Sequence, residues 1–275
     1  MKQPAHVYLY AERTGKAVDL LEIRDYVKET LPSLDVTIRE GFVSFHARNL
    51  TEDVLSLTAQ GFARAKVRNL SAEFDDFEPL PGEIAYEHRR ISDPDNRSWG
   101  ILYDGYAVMG ILRELITRTE RSLSHVHLVF TNQLFGTWDE NDRRYHARVS
   151  VYGFPSVIST AGVVEAPAKP REYYILKQQY VALGMPDAPA VKLDAQFRGR
   201  VISHEDERLT EVMKGYAMQA IAHHVWGDPF CQDKGCRLYN AHWQEEVIHA
   251  QLEGEYEFCP FHQDRLQQLT RELAR

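Results

Sequence analysis

Cys231 and Cys236 form a Cys-x4-Cys pair, and Cys259 with His262 follow as Cys-Pro-Phe-His, so every cysteine of the chain falls within residues 231–262. Free cysteines otherwise behave as small hydrophobes with no spacing rule. Zinc takes four thiolate or imidazole ligands in a closed tetrahedron, and two short ligand pairs separated by a longer excursion supply that cage at little cost in chain entropy. The spacing predicts a structural Zn2+ held by Cys231, Cys236, Cys259 and His262. A disulfide would leave one odd thiol, and the start of the chain lacks the apolar segment of an export signal. A cytoplasmic location is therefore expected.

The 275 residues are 44% hydrophobic and 26% charged, a soluble globular composition with room for a sizeable core. A net charge of -8 gives no electrostatic reason to expect a nucleic-acid partner, which calls for a basic surplus or stripe. No stretch approaches the ~20 apolar residues needed to span a bilayer, so no membrane partner is expected. Phosphate-binding glycine loops, dinucleotide fingerprints and G-x-S-x-G elbows are absent from the sequence, and paired acids such as Asp75 and Asp76 sit in polar, turn-like runs.

Hydrophobic periodicity predicts a βαβ-type start: a strand over 6–10, a helix over 16–30, and a strand over 34–39. Helices are expected over 51–66 and 103–119, with an acidic, proline-containing loop boundary at 75–82. Strands over 126–134 and 145–152 are expected to pair across a polar turn at 137–144 and to offer a sheet edge. A helix capped by Ser203, with His204, Glu205, Asp206 and Glu207 in its first turn, is expected to end at Gly227, ahead of Pro229. Two more helices, over 241–252 and 263–273, complete the C-terminal part. The expected organisation is an N-terminal βαβ part (1–80), a core with the helix at about 203–226 (81–230), and a zinc-binding subdomain (231–275).

The segment Ala220-Ile221-Ala222-His223-His224-Val225-Trp226-Gly227-Asp228-Pro229-Phe230-Cys231 resembles the motif H-E-x-x-H-x-x-G-x-x-H-C of the archaemetzincin branch of the metzincins. His224, Gly227 and Cys231 match in register. In that family the motif's cysteine opens a second, structural zinc site, and the matching ligands are Cys231, Cys236, Cys259 and His262. The resemblance implies an α/β (α+β) fold with a metzincin-like mixed sheet, long helices and a C-terminal zinc knob. It also implies a zinc metallopeptidase ancestry and an extended peptide or protein as partner.

The departures fall on the catalytic machinery. In a working metzincin two imidazoles one helical turn apart and a third beyond the glycine hold zinc, and a glutamate beside the first is the general base. This chain has Ala220, Ile221 and Phe230 at three of those positions, and Leu238 at that of the family's methionine. A weak or inactive peptidase is expected, with a non-catalytic peptide-binding or scaffold protein as the alternative. A remodelled second zinc site would draw on His224 with His223, His242 or His249, with Glu245 or Glu246 as base. Residues 242, 245, 246 and 249 share one face if the helix runs through all of them.

Overall fold

The computed structural model describes residues 4–12, 18–48, 51–73, 77–93, 100–185, 189–204 and 206–274. The predicted helix start at Lys16, the acids Asp75 and Asp76, and Glu205 lie outside the described residues. In chain order the elements are β1 (His6–Glu12), α1 (Leu20–Thr30), β2 (Asp35–Arg39), α2 (Phe42–Ala47), α3 (Glu52–Arg64), α4 (Pro81–Ser92), β3 (Leu102–Asp104) and α5 (Gly105–Leu115). A 3-10 turn (Arg118–Glu120) leads to β4 (His125–Thr131), β5 (Leu134–Asp139), β6 (Arg144–Arg148), β7 (Ser150–Val151), β8 (Ser156–Ser159), α6 (Thr160–Glu165), α7 (Arg171–Ala182) and α8 (Pro189–Gln196). The C-terminal part holds α9 (Leu209–Trp226), α10 (Gln244–Ile248), a π turn (His249–Glu253) and α11 (Pro260–Leu273).

The fold is α+β. A five-stranded sheet has the order β2-β1-β4-β8-β7, parallel except for β7, and a three-stranded sheet has the order β3-β5-β6. The parallel strands alternate strictly between two cores. Val7, Leu9, Leu128 and Phe130 face α1, α9 and the C-terminal knob. Tyr8, Tyr10 and Val129 face α2, α3, α5 and Phe135 of the smaller sheet. The first core takes residues from β1, α9 and α11, and so joins the N-terminal, central and C-terminal stretches.

The strand pairing differs from the sequence expectation. The run 126–134 is two strands: β4 stops at Thr131, and β5 starts at Leu134 in the other sheet. The hairpin forms between β5 and β6, with Trp138 opposite Tyr145, and its turn includes Arg143 at φ 49°. β4 is an interior strand, buried from Val126 to Thr131 because helices cover both its faces. The loop expected at 75–82 gives way at Pro81 to α4, where Glu83 accepts from the Leu80 amide (2.9 Å) in the first turn.

α1 is tied to α9 at its cap. Asp19 accepts from the Leu21 amide (2.7 Å), and its own amide donates to Thr210 Oγ1 (3.0 Å). α9 begins at Leu209 rather than near Ser203, because Asp206 turns the chain first: its carboxylate accepts from the amides of Ser203 and Arg208. Nearly every residue of α9 from Leu209 to Ala222 is buried, as expected of a helix between sheet and knob. Gly227 ends it in the left-handed conformation (φ 73°), which glycine adopts without penalty.

Candidate functional site

The turn after Gly227 delivers Cys231 to the first core. Its amide donates to the Leu238 carbonyl (2.8 Å), and the Asp233 amide donates to its Sγ (3.3 Å). The Asp233 carboxylate accepts from the Gly235 amide (3.0 Å) and the Tyr256 hydroxyl (2.7 Å), which fixes the loop that presents Cys236. Cys259 caps α11, Pro260 occupies its first position, and His262 lies in its first turn.

The four side chains are buried, and one ligand atom from each lies within 4.8 Å of all the others. Cys231 Sγ and Cys259 Sγ are 3.7 Å apart, while His262 Nδ1 is 3.3 Å from Cys259 Sγ and 3.8 Å from Cys236 Sγ. A tetrahedron with ~2.3 Å zinc–sulfur and ~2.0 Å zinc–nitrogen bonds has edges of about 3.5–3.8 Å. The donor set and its spacing fit zinc. Burial pushes the Cys236 thiol up to about 12 and raises Cys231 as well, so the thiolates need the compensating charge of a cation.

The motif helix carries none of that chemistry at the corresponding positions. Ala220 and Ile221 are 0% and 1% exposed in the core. His224 Nε2 donates to the Leu123 carbonyl (2.9 Å), and His223 stacks on Tyr152 with ring centroids 5.8 Å apart. Phe230 meets the same tyrosine edge-on at 5.9 Å. The Tyr152 hydroxyl donates to Gln219 Oε1 (2.5 Å), and Gln219 Nε2 donates to the Tyr239 carbonyl (3.0 Å). These contacts fill part of the space beside α9 with packing and neutral hydrogen bonds.

The remaining sequence candidates do not converge. α10 starts at Gln244, so His242 precedes the helix and the four-residue stripe does not form. Glu245 pairs with Arg200 (2.6 Å), and Glu246 accepts from the amides of His242 (2.9 Å) and Trp243 (3.3 Å) as a helix cap. His242 and His249 are exposed. Among the described residues, none of His223, His224, His242, Glu245, Glu246 and His249 belongs to a group of three ligand atoms close enough for one ion. A cleft of about 130 Å³ survives next to them. It is lined by the chain at 147–150 and by Tyr216, Gln219, Phe230, Tyr239 and His242.

One polar group escapes a reading by local spacing. His46 (α2), Glu120 (the 3-10 turn) and His127 (β4) bring one ligand atom each within 4.8 Å of the others, on the opposite sheet face from α9. Tyr10 is their hub: its hydroxyl is 3.1 Å from His46 Nε2, 2.9 Å from His127 Nδ1 and 2.9 Å from Arg39 Nη1. Arg39 holds both oxygens of Glu120, at 2.7 and 2.8 Å, and this bond is the main reason that carboxyl titrates low. Burial lowers His46 to about 4 and His127 to about 3, so both rings are neutral. The only sequence signal was a histidine inside each of two apolar runs, Phe45-His46-Ala47 and Val126-His127-Leu128.

Fold and site together define an α+β protein with a buried Cys3His centre of the kind zinc occupies. The chain belongs to the probable metallopeptidase family (DUF6775), whose family model matches residues 3–269. It is similar to a zinc-dependent peptidase from Methanocorpusculum labreanum (strain Z) of solved structure, at 12% identity and a TM-score of 0.46, over 94% of this chain and 99% of that one. No curated protein matches the chain. Among the described residues, no helix is long and apolar enough to cross a membrane.

Proposed function

We propose that this chain is an archaemetzincin-like member of its metallopeptidase family that keeps the structural zinc of the knob and has lost the catalytic zinc of the motif helix. The observation that carries this reading is the burial of Ala220 and Ile221 in the core, where a zinc peptidase needs an imidazole and a general base. A single imidazole, His224, engaged by the Leu123 carbonyl, neither holds an open zinc nor activates water. The test is hydrolysis of a diverse fluorogenic peptide pool by untagged, zinc-loaded protein. No turnover above the buffer rate is expected. Turnover that disappears in His224→Ala would refute the reading.

The surviving cleft favours a second reading, non-catalytic binding of an extended peptide. The chain at 147–150 runs along one wall, and the Phe230 and Tyr239 rings line it, which suits addition of a strand with alternate side chains in shallow pockets. Binding from an unstructured peptide pool, weakened by His242→Trp at the exposed rim, is the expected result. A pool that yields no binder removes this reading and leaves the first intact.

A further inference from the structure

We propose that the outer face of the small sheet carries a binding cleft for a small alkylated ammonium ion, seated against the Trp138 and Tyr145 rings and the Asp104 carboxylate. In β3 and β5, Tyr103 and Phe135 belong to the second core. Side chains alternate along a strand and face one another across a ladder, so Asp104, Trp138 and Tyr145 share the opposite face. The chain at 65–70 bridges the two edges of this sheet: the Val67 amide donates to the Leu102 carbonyl (2.8 Å), and the Leu70 carbonyl accepts from the Tyr145 amide (2.8 Å). Between that chain and the start of α5 lies a cleft of about 510 Å³, the size of a small-molecule site.

The lining carries both signs of charge, but only one sign is compensated. Each basic side chain has a carboxylate of its own that does not line the cleft: Arg64 has Glu78 (2.9 Å), Lys66 has Glu87 (2.7 Å) and Arg68 has Glu83 (2.5 Å). The acidic lining residues Glu73, Asp104 and Glu140 have no basic partner among the described residues. The Tyr145 hydroxyl has one proton and lies 2.8 Å from two acceptors, Asp104 Oδ2 and the Glu73 carbonyl, so one of the two goes without. Burial raises the titration of that hydroxyl, and the bond to Asp104 and the charges of Asp104 and Glu73 raise it further. The uncompensated negative charge favours a cation.

The rings decide which cation. Trp138 and Tyr145 meet edge to face, with centroids 5.6 Å and planes 67° apart, and so make two adjoining walls. The indole nitrogen is buried, which leaves ring carbon as what Trp138 turns to the cleft. Tyr106, 60% exposed, adds a third ring at the mouth. Aromatic faces attract cations, and an ion whose charge is spread over alkyl groups sheds its water at less cost than a metal ion. Among the described residues, Glu73, Asp104 and Glu140 belong to no group of three ligand atoms close enough for one metal ion.

The test is calorimetric titration of the full, untagged, zinc-loaded chain with choline at low ionic strength, beside dimethylbutanol, the neutral isostere with carbon in place of the nitrogen. One saturable choline site is expected, with the isostere about two- to thirtyfold weaker. Asp104→Asn should weaken choline by about two- to fivefold, and it keeps the cap of α5, since asparagine accepts from the Ala107 amide as aspartate does. A short peptide with one trimethyl-lysine carries the same headgroup on a chain. Either form binding with this dependence on charge supports the proposal, and the tighter of the two identifies the source of the cation. No saturable binding of either form, equal binding of the neutral isostere, or affinity unchanged in Asp104→Asn would overturn it. The readout is independent of peptide hydrolysis at the motif helix.

Discussion

Gly215 on α9 tests whether the knob is locked to the motif helix. The π turn aims Gln251 at the helix backbone, and a Cβ added at Gly215 would lie 1.7 Å from Gln251 Oε1 and 2.6 Å from its Cδ. Gln251 Nε2 donates to the Arg237 carbonyl (2.8 Å), next in the chain to Cys236 of the Cys3His group. In Gly215→Ala the glutamine must swing away. The buried carbonyl of Arg237 then loses its donor, at about 1–3 kcal/mol, and the displaced side chain overpacks its surroundings by about 1–3 kcal/mol. The helical preference for alanine over glycine returns about 1 kcal/mol. A net destabilisation of roughly 1–5 kcal/mol is expected from denaturant unfolding of the zinc-loaded chain. The Gly215→Ala, Gln251→Ala double variant should be more stable than the sum of the single effects, since the clash is gone. A single variant as stable as the native chain would refute the close approach.

Two further outcomes follow from the site and its supports. Cys236→Ser should release one zinc per chain by elemental analysis. A zinc held at a thousandfold its Kd adds about 4 kcal/mol, so the melting temperature should fall by roughly 8–16 °C at about 2–4 °C per kcal/mol; an unchanged metal content would sink the Cys3His assignment. Asp206 has its carboxyl lowered: burial pushes it up, but bonds from the Arg208 guanidinium and from the Arg208 and Ser203 amides outweigh that. Its contribution is therefore present above the unfolded carboxylate value of about 3.9 and is lost as pH falls through the lower folded value. Asp206→Asn should flatten the acid limb of stability below about pH 4, and unfolding midpoints that fall as steeply as in the native chain would contradict this.

The parts of the protein that were legible in the sequence are those fixed by neighbours in the chain. Cys231 with Cys236, and Cys259 with His262, are spaced by a few residues, and the four converge in the fold. The end of α9 was legible too, because the left-handed turn at Gly227 is a local demand. Strand partners were not. The choice between β4 and β5 as the partner of β6 depends on which helices cover which sheet face, and the hint in the sequence that β4 is interior is its apolar run Val126-His127-Leu128-Val129-Phe130, which is buried throughout. The acidic, proline-containing approach to Pro81 reads as a loop until Glu83 is seen to cap a helix. The His46, Glu120 and His127 group was beyond reach for the same reason, since 80 residues of chain lie between its first and last members.

Introducing the archaemetzincin motif residues tests the proposed loss of a catalytic centre. Ala220→His, Ile221→Glu and Phe230→His recreate the missing donors, but the sites they enter are committed to other contacts. Ile221 is 1% exposed in the first core, among apolar residues that include Met218 of the same helix. A carboxyl placed there without a partner stays protonated, and its transfer costs roughly 2–7 kcal/mol. The imidazole at 220 overpacks by about 1–3 kcal/mol, and Phe230→His removes an aromatic edge from Tyr152. Together these approach the 5–15 kcal/mol that a typical domain holds in reserve. The triple variant should therefore unfold at much lower denaturant than the native chain and bind no additional zinc. A variant that keeps native stability, takes up one more zinc per chain and cleaves peptides would show that the cleft is still a metal site in all but side chains.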